Sequence, residues 1–280
     1  MLHPQASINC RGQLIDLSSP KIMGILNVTP DSFYDGGQFN AADAALAQTE
    51  KMLEAGATFI DVGGMSSRPG AELISPEEEL ARVGPVVEAI RKRFPACLLS
   101  IDTVYGKTIR QLSDLGVDLI NDISAGSIDS DIQRAAADLG IPYILMHMAG
   151  KPENMQQQTD YEDVVEEILD FFIEQVGSLR AKGCKDIILD PGFGFGKKLE
   201  HNYQLLNNLH VFKVLGLPMM TGLSRKSMVW KLLGTSPEEA LNGSSILHFI
   251  ALQQGSRLLR VHDVAPAMEV IKIWQQIEIR

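Results

Sequence analysis

From residue 21 onward, short apolar runs alternate with longer stretches whose apolar positions recur every three to four residues, the pattern of successive parallel βα units. Eight strand candidates can be counted: KIMGILNV (21–28), ATFIDVGG (57–64), ACLLSIDT (96–103), VDLINDIS (117–124), PYILMHM (142–148), KDIILDPG (185–192), PMMTGLS (218–224) and RLLRVHDV (257–264). Near-continuous apolar strands need helices over every outer face. Eight strands with eight helices therefore predict a closed (β/α)8 TIM barrel over about 21–280 rather than an open doubly wound sheet. Ahead of it, ASINCRGQLIDLSS reads as two short extended pieces about Arg11–Gly12, predicting a hairpin over about 7–18 that plugs the N-terminal mouth.

Local signals place several helices. SPEEELARVGPVVEAIRKRF starts with Ser75 as N-cap, Pro76 at the first helical position and Glu78 placed for a capping box; Ser236, Pro237 and Glu239 repeat that logic in SPEEALNGSSILHFIALQQ. DYEDVVEEILDFFIEQVGSLRAKG predicts a long amphipathic helix ending at Gly183.

At 280 residues and 45% hydrophobic content, the chain can bury a substantial core as one domain, 1–280. A formal net charge of −10 argues against a nucleic-acid or anionic-membrane surface, since both rely on a broad cationic field. Any anionic ligand must meet a local cationic cluster. Cys10, Cys97 and Cys184 lack CxxC or zinc-ligand spacing, and the N-terminus has no long apolar run; both fit a cytoplasmic protein without disulfides or a membrane anchor.

Polar residues collect at the C-terminal ends of the strand candidates, where barrel enzymes place their chemistry. Asn27, Asp61 and Arg68, Asp102, Asn121–Asp122, His147, Asp190, Ser224–Arg225–Lys226 and Arg260–His262–Asp263 follow in strand order. Any one of them alone reads more readily as a helix cap or a satisfied loop residue. Together they form a ring able to converge on one ligand.

A planar heterocycle with a guanidine-like edge needs in-plane carboxylates and an amide, which Asp102, Asn121 and Asp190 supply. Lys226 can donate to the ring, Phe195 can cover its face, and Met146 offers a pliable wall. Arg68, Arg260 and His262 suit an oxyanion. Asn27 is compatible with Mg²⁺ as a neutral oxygen ligand, and equally with a structural role in the NVTPDSF loop. The loops TPDSFYDGGQFN (29–40) and GMSSRPGAEL (64–73) mix turn residues with Phe33, Ser67 and Arg68, as exposed binding loops do. DPGFGFGKK matches neither the P-loop nor GxGxxG; its glycines instead suit close approach of backbone and Phe195 to a flat ligand.

With these residues in place, the chain resembles the dihydropteroate synthase family through GILNVTPDSF (24–33), DVGGMSSRPGA (61–71), SIDT (100–103), NDI (121–123), DPGFGFGK (190–197), GLSRKS (222–227) and RVHDV (260–264). The resemblance implies a barrel, usually a homodimer and a sulfonamide target, that condenses 6-hydroxymethyl-7,8-dihydropterin diphosphate with p-aminobenzoate in folate biosynthesis. It implies a pterin site of Asp102, Asn121, Asp190 and Lys226 with Phe195 stacking, to which Met146 and Gly222 are added as lining residues. The diphosphate falls to Asn27, Arg68, Arg260 and His262, with Mg²⁺ at Asn27. The p-aminobenzoate pocket falls to Thr29, Pro30, Phe33, Ser67, Arg68, Pro69, Phe195, Lys226 and Ser227. The catalytic set is then Asp102, Asp190, Lys226, Arg260 and His262.

The second loop departs from the common family pattern GGESTRPGA: Met65 replaces a carboxylate, although Ser67 keeps a hydroxyl. Tyr34 stands where a smaller residue is frequent. Two rival readings are a pterin-binding methyltransferase of the methyltetrahydrofolate type, which has no use for a diphosphate cluster, and a catalytically silent paralogue.

Overall fold

The structure, a computed structural model, describes residues 5–29, 38–66, 70–150, 155 and 159–278, with backbone alone at 38–41. Strands β1 (Ser7–Cys10) and β2 (Gln13–Asp16) pair antiparallel, pairing Cys10 with Gln13. Arg11 and Gly12 between them have φ of 51° and 90°, the two left-handed positions that tight hairpins favour.

Eight parallel strands follow: β3 (Lys21–Asn27), β4 (Phe59–Gly63), β5 (Leu98–Asp102), β6 (Leu119–Asp122), β7 (Tyr143–Met146), β8 (Ile187–Asp190), β9 (Met220–Thr221) and β10 (Leu258–Val261). Their order is β8-β7-β6-β5-β4-β3-β10-β9. A parallel bridge between Leu189 and Met219 joins the two ends, with Leu189 N donating to Pro218 O at 2.9 Å. The barrel closes as expected. β9 is shorter than the PMMTGLS run, because the chain leaves the sheet after Thr221 and turns at Ser224–Arg225 to start the next helix at Ser227.

The period of two along each strand builds the interior in layers. Met23, Phe59, Leu98, Leu119, Ile144, Ile188, Met220 and Leu258 share one buried cluster with Ile8, Cys10, Ile15 and Leu17, so the hairpin does plug the N-terminal mouth. Two residues further along most of these strands stand Asp61, Asn121, Met146, Asp190, Gly222 and Arg260; two more bring Asn27, Asp102 and His262. The same alternation that buries the lower layer therefore aims the polar ring at the opposite end. The outward residues, among them Ile22, Ile60, Leu99, Ile120, Leu145 and Leu259, pack beneath the helices in the main core.

Helix α1 (Gln38–Glu54) precedes α2 (Pro76–Arg93), whose first turn Ser75 caps by accepting from Glu78 N at 3.2 Å. The expected reciprocal bond of a capping box is replaced, since Glu78 binds Arg82 at 2.6 Å instead. Next come α3 (Gly106–Leu112), α4 (Asp131–Leu139) and α5 (Val164–Lys182), the last ending at Gly183 with φ 99° as predicted. After α6 (Leu199–Asn207), the seventh unit carries two helices, α7 (Ser227–Leu233) and α8 (Leu241–Gln254), before α9 (Val264–Glu278). Nine helices among the described residues replace the eight expected. The Ser236 start is corrected in part: Ser236 N does donate to Glu239 Oε2 at 3.3 Å, but residues 237–240 form a turn, braced by Arg225 Nη1 on the carbonyls of Pro237 and Glu238 at 2.9 and 2.7 Å, and the helix begins at Leu241. Among the described residues, no helix is long and apolar enough to cross a membrane.

Because Ile8 is fully buried in the lower cluster, Ile8→Ala should destabilise the fold by about 2–5 kcal/mol in urea unfolding, with the chemistry at the far mouth unaffected.

Candidate active site

Arg260 rises from β10 into the C-terminal mouth. Its Nε donates to Asp61 Oδ2 at 2.7 Å and its Nη2 to Asp102 Oδ2 at 2.6 Å. Asn121 Nδ2 donates to the same Asp61 oxygen at 2.9 Å, tying β4, β5, β6 and β10 into one polar cluster. Asp61 is fully buried, and its Oδ1 has no partner among the described residues. Burial pushes the Asp102 carboxyl up, against the pull of the Arg260 guanidinium, and the nearby Asp61, Glu79 and Asp122 push the same way. Burial opposes the charge on Arg260 too, but Asp61 and Asp102 outweigh it and hold its pKa above the ordinary value. Two carboxylates on one guanidinium leave the cluster short of positive charge, while Nη1 makes no hydrogen bond among the described residues.

Across the mouth, Asp190 Oδ1 accepts from Gly192 N at 2.8 Å. Burial raises its pKa, opposed chiefly by Lys226. Lys226 Nζ in turn is lowered to about 8 by burial, against the field of Asp190. It binds Phe193 O and stands 4.7 Å from the centroid of the Phe195 ring, a cation–π contact. Gly222 lies beside this ammonium: a Cβ there would lie 3.7 Å from Nζ. Met146 forms the apolar wall together with Met65, Val104 and Ile123, with Phe195 packed against them. The carboxylate missing at position 65 is thus replaced by a thioether buried in that wall.

His262 is exposed at the rim, where its Nδ1 and backbone N both lie 3.2 Å from Ser224 Oγ. Crowding of its ring, reinforced by the cations Arg260, Arg225 and Lys226, keeps its pKa below the ordinary histidine value. Asn27 is exposed, and its Oδ1 and Asp102 Oδ2 both flank Gly63, at 3.8 and 3.6 Å from where a Cβ would stand. Thr29 and Ser227 are half-buried. Pro30, Phe33, Tyr34, Ser67, Arg68 and Pro69 lie outside the described residues.

Not every member of the predicted ring faces the ligand space. Arg225 grips Asp263 at 2.8 and 3.0 Å, so both residues strap the last two barrel loops together. Asp122 is buried behind the site, accepting from Ser124, Gly126 and Tyr143. His147 turns inward to Lys197, at 3.0 Å. Three residues carry more than the sequence assigned them. Asp61 had no role beyond its place in the ring, although its spacing two residues past Phe59 puts it in the interior phase. Glu79, given no role by the sequence, is fully buried at the start of α2, its Oε2 accepting from Thr103 and Thr108 at 2.6 Å each. Lys197 looked like a failed nucleotide motif.

The pattern of the family described as pterin binding enzyme matches residues 23–262, from the second residue past the start of β3 to His262 at the rim. A dihydropteroate synthase from Haemophilus influenzae is 48% identical over 263 residues, covering 93% of this chain and 95% of the relative. The chain belongs to the dihydropteroate synthase family. Two solved members of that family share the fold throughout. The Yersinia pestis dihydropteroate synthase, solved with a sulfonamide drug, superposes with a TM-score of 0.92 at 46% identity, covering 98% of this chain and all of that one (100%). The Xanthomonas albilineans dihydropteroate synthase, solved with 4-aminobenzoic acid, gives 0.91 at 40% identity, covering 98% of this chain and 99% of that one. As a dihydropteroate synthase family member, the chain is a transferase.

Removing the cation from the cluster leaves Asp61 and Asp102 facing each other. Arg260→Ala should therefore destabilise the fold by about 3–5 kcal/mol near pH 8. Losing the guanidinium raises the Asp102 pKa further above its unfolded value, so the folded variant binds more protons than the unfolded chain, and the deficit shrinks as pH falls towards 5. Urea unfolding at both pH values checks the sign.

Proposed function

We propose that the chain condenses 6-hydroxymethyl-7,8-dihydropterin diphosphate with p-aminobenzoate, forming 7,8-dihydropteroate and releasing diphosphate. The observation that carries the reading is the polar mouth itself: two carboxylates and an amide on one side, Asp190 with Lys226 on the other, and the Arg260–His262 pair at the rim. Asp102, Asn121 and Asp190 accept from and donate to the guanidine-like edge of the pterin, Lys226 meets its acceptors, and Met146, Gly222 and Phe195 bound the slot. The diphosphate is assigned to the Nη1 edge of Arg260 with His262 and Asn27, and to Arg68. The p-aminobenzoate pocket is assigned to Thr29, Pro30, Phe33, Ser67, Arg68, Pro69, Phe195, Lys226 and Ser227. A methyltransferase would leave this anion-binding rim without a task.

The diphosphate departs first in this account. Arg260 and His262 stabilise the negative charge that develops on it, while the pterin ring spreads the positive charge left on its methylene. Asp102 and Asp190 hold the ring and stabilise that cation. The aromatic amine then attacks, and because the new ammonium is acidic, no strong general base is needed.

Mg²⁺ fits the donor set as an ion held mainly by waters and phosphate oxygens: Asn27, exposed at the mouth beside Gly63, offers one neutral oxygen. Bound there, it would neutralise diphosphate charge. We place the protein in the cytoplasm, as a homodimer, with sulfonamides competing for the p-aminobenzoate pocket. The exposed Leu232 and Leu233 of α7, Ile246 of α8 and Ile273 and Ile277 of α9 support a subunit interface on that side.

Asp190→Ala should weaken pterin binding and lower turnover together, whereas His262→Ala should lower kcat about 10²-fold with a smaller change in affinity for the pterin ring. Steady-state kinetics paired with calorimetry separates the two, and normal turnover in either variant would contradict the assignment.

A further inference from the structure

The glycine-rich turn after β8 holds a cation rather than a phosphate. Gly192, Gly194 and Gly196 have φ of 70°, 81° and 61°, a region where other side chains are strained. The resulting path turns carbonyls inward: Gly192 O and Phe195 O accept from Lys197 Nζ at 3.0 and 3.1 Å, with His147 O at 3.4 Å. His147 Nδ1 completes the shell at 3.0 Å. The turn also lies hard against the chain beyond β7, since a Cβ at Gly192 would fall 1.9 Å from His147 O and one at Gly196 2.8 Å from Ala149 Cβ.

Lys197 is only 4% exposed and makes no ion pair with a carboxylate among the described residues. Burial of such an ammonium is unfavourable and lowers its pKa to about 7, opposed by the more distant Asp190. If the position needed only bulk, an apolar side chain of similar length would fill it at least as well. The converging acceptors account for the lysine.

Two of the held groups connect directly to the ligand space. Gly192 offers its carbonyl to Lys197 and its N–H to Asp190 Oδ1, at 2.8 Å. Phe195 offers its carbonyl to Lys197 while its ring lies beneath Lys226 Nζ. We infer that Lys197 is a positioning residue for the pterin step: its ammonium gathers the turn and thereby fixes Asp190 and Phe195 relative to each other. The inference rests on the reading of the mouth as a pterin site.

The test is Lys197→Met, which keeps length and packing but removes the donors. 6-Hydroxymethylpterin binding, by calorimetry, should weaken about tenfold, the order expected when charge-assisted bonds are lost. Hydrogen exchange should quicken at Gly192, Gly194 and Phe195, while the urea midpoint stays near that of the unsubstituted protein. Unchanged affinity with unchanged exchange in this turn would overturn the inference. So would a lowered urea midpoint with pterin affinity intact, since that describes a purely structural lysine. Should Lys197→Met fail to fold, His147→Asn, which keeps an acceptor, and His147→Phe, which removes it but preserves packing on Phe171, decide the matter. Weaker pterin binding by His147→Phe alone supports the role; equal affinities contradict it. An unsubstituted protein that bound no pterin would defeat the functional reading instead, and the exchange comparison would still decide whether Lys197 holds the turn.

Discussion

The Arg260 guanidinium is the constraint on which the mouth of this barrel depends. It brings Asp61 of β4 and Asp102 of β5 within 2.7 and 2.6 Å of one cation, and Asn121 of β6 completes the arrangement through Asp61. Without it, the two acids would carry the cost of unpaired buried charge or take up protons. The cluster remains deficient in positive charge, which suits a site that must receive a ring able to carry a cation, while the uncommitted side of the guanidinium suits an anion at the rim. One side chain thus serves both halves of the proposed substrate.

Much of this was legible because a closed barrel obeys a period of two. Once Phe59, Leu119, Ile188 and Leu258 face the interior, Asp61, Asn121, Asp190 and Arg260 must face it too, one layer higher. The eight strands and the interior members of the polar ring followed from alternation, the hairpin plug from two short extended pieces about Arg11–Gly12, and the ordered family motifs named the chemistry.

What the chain concealed were pairings that no periodicity encodes. Arg225 and Asp263 stand at adjacent strand ends like true ligand-facing residues, yet they bind each other, and Arg225 also braces the turn before α8 through two backbone carbonyls. Glu79 stands in an acidic first turn with nothing in the local pattern to mark it, yet two threonines from elsewhere in the chain meet it inside the fold. Lys197 follows a glycine-rich run that resembles a failed phosphate loop, whereas its backbone path shows inward carbonyls around an ammonium. Each depends on contacts between residues far apart or on the sign of φ, neither of which a residue pattern displays.

The most direct measurement of the central claim is a time course with purified protein, 6-hydroxymethyl-7,8-dihydropterin diphosphate, p-aminobenzoate and Mg²⁺, following both products. 7,8-Dihydropteroate and diphosphate should appear in equal amounts. Pterin binding with neither product formed would contradict that claim and leave the barrel as a binding module.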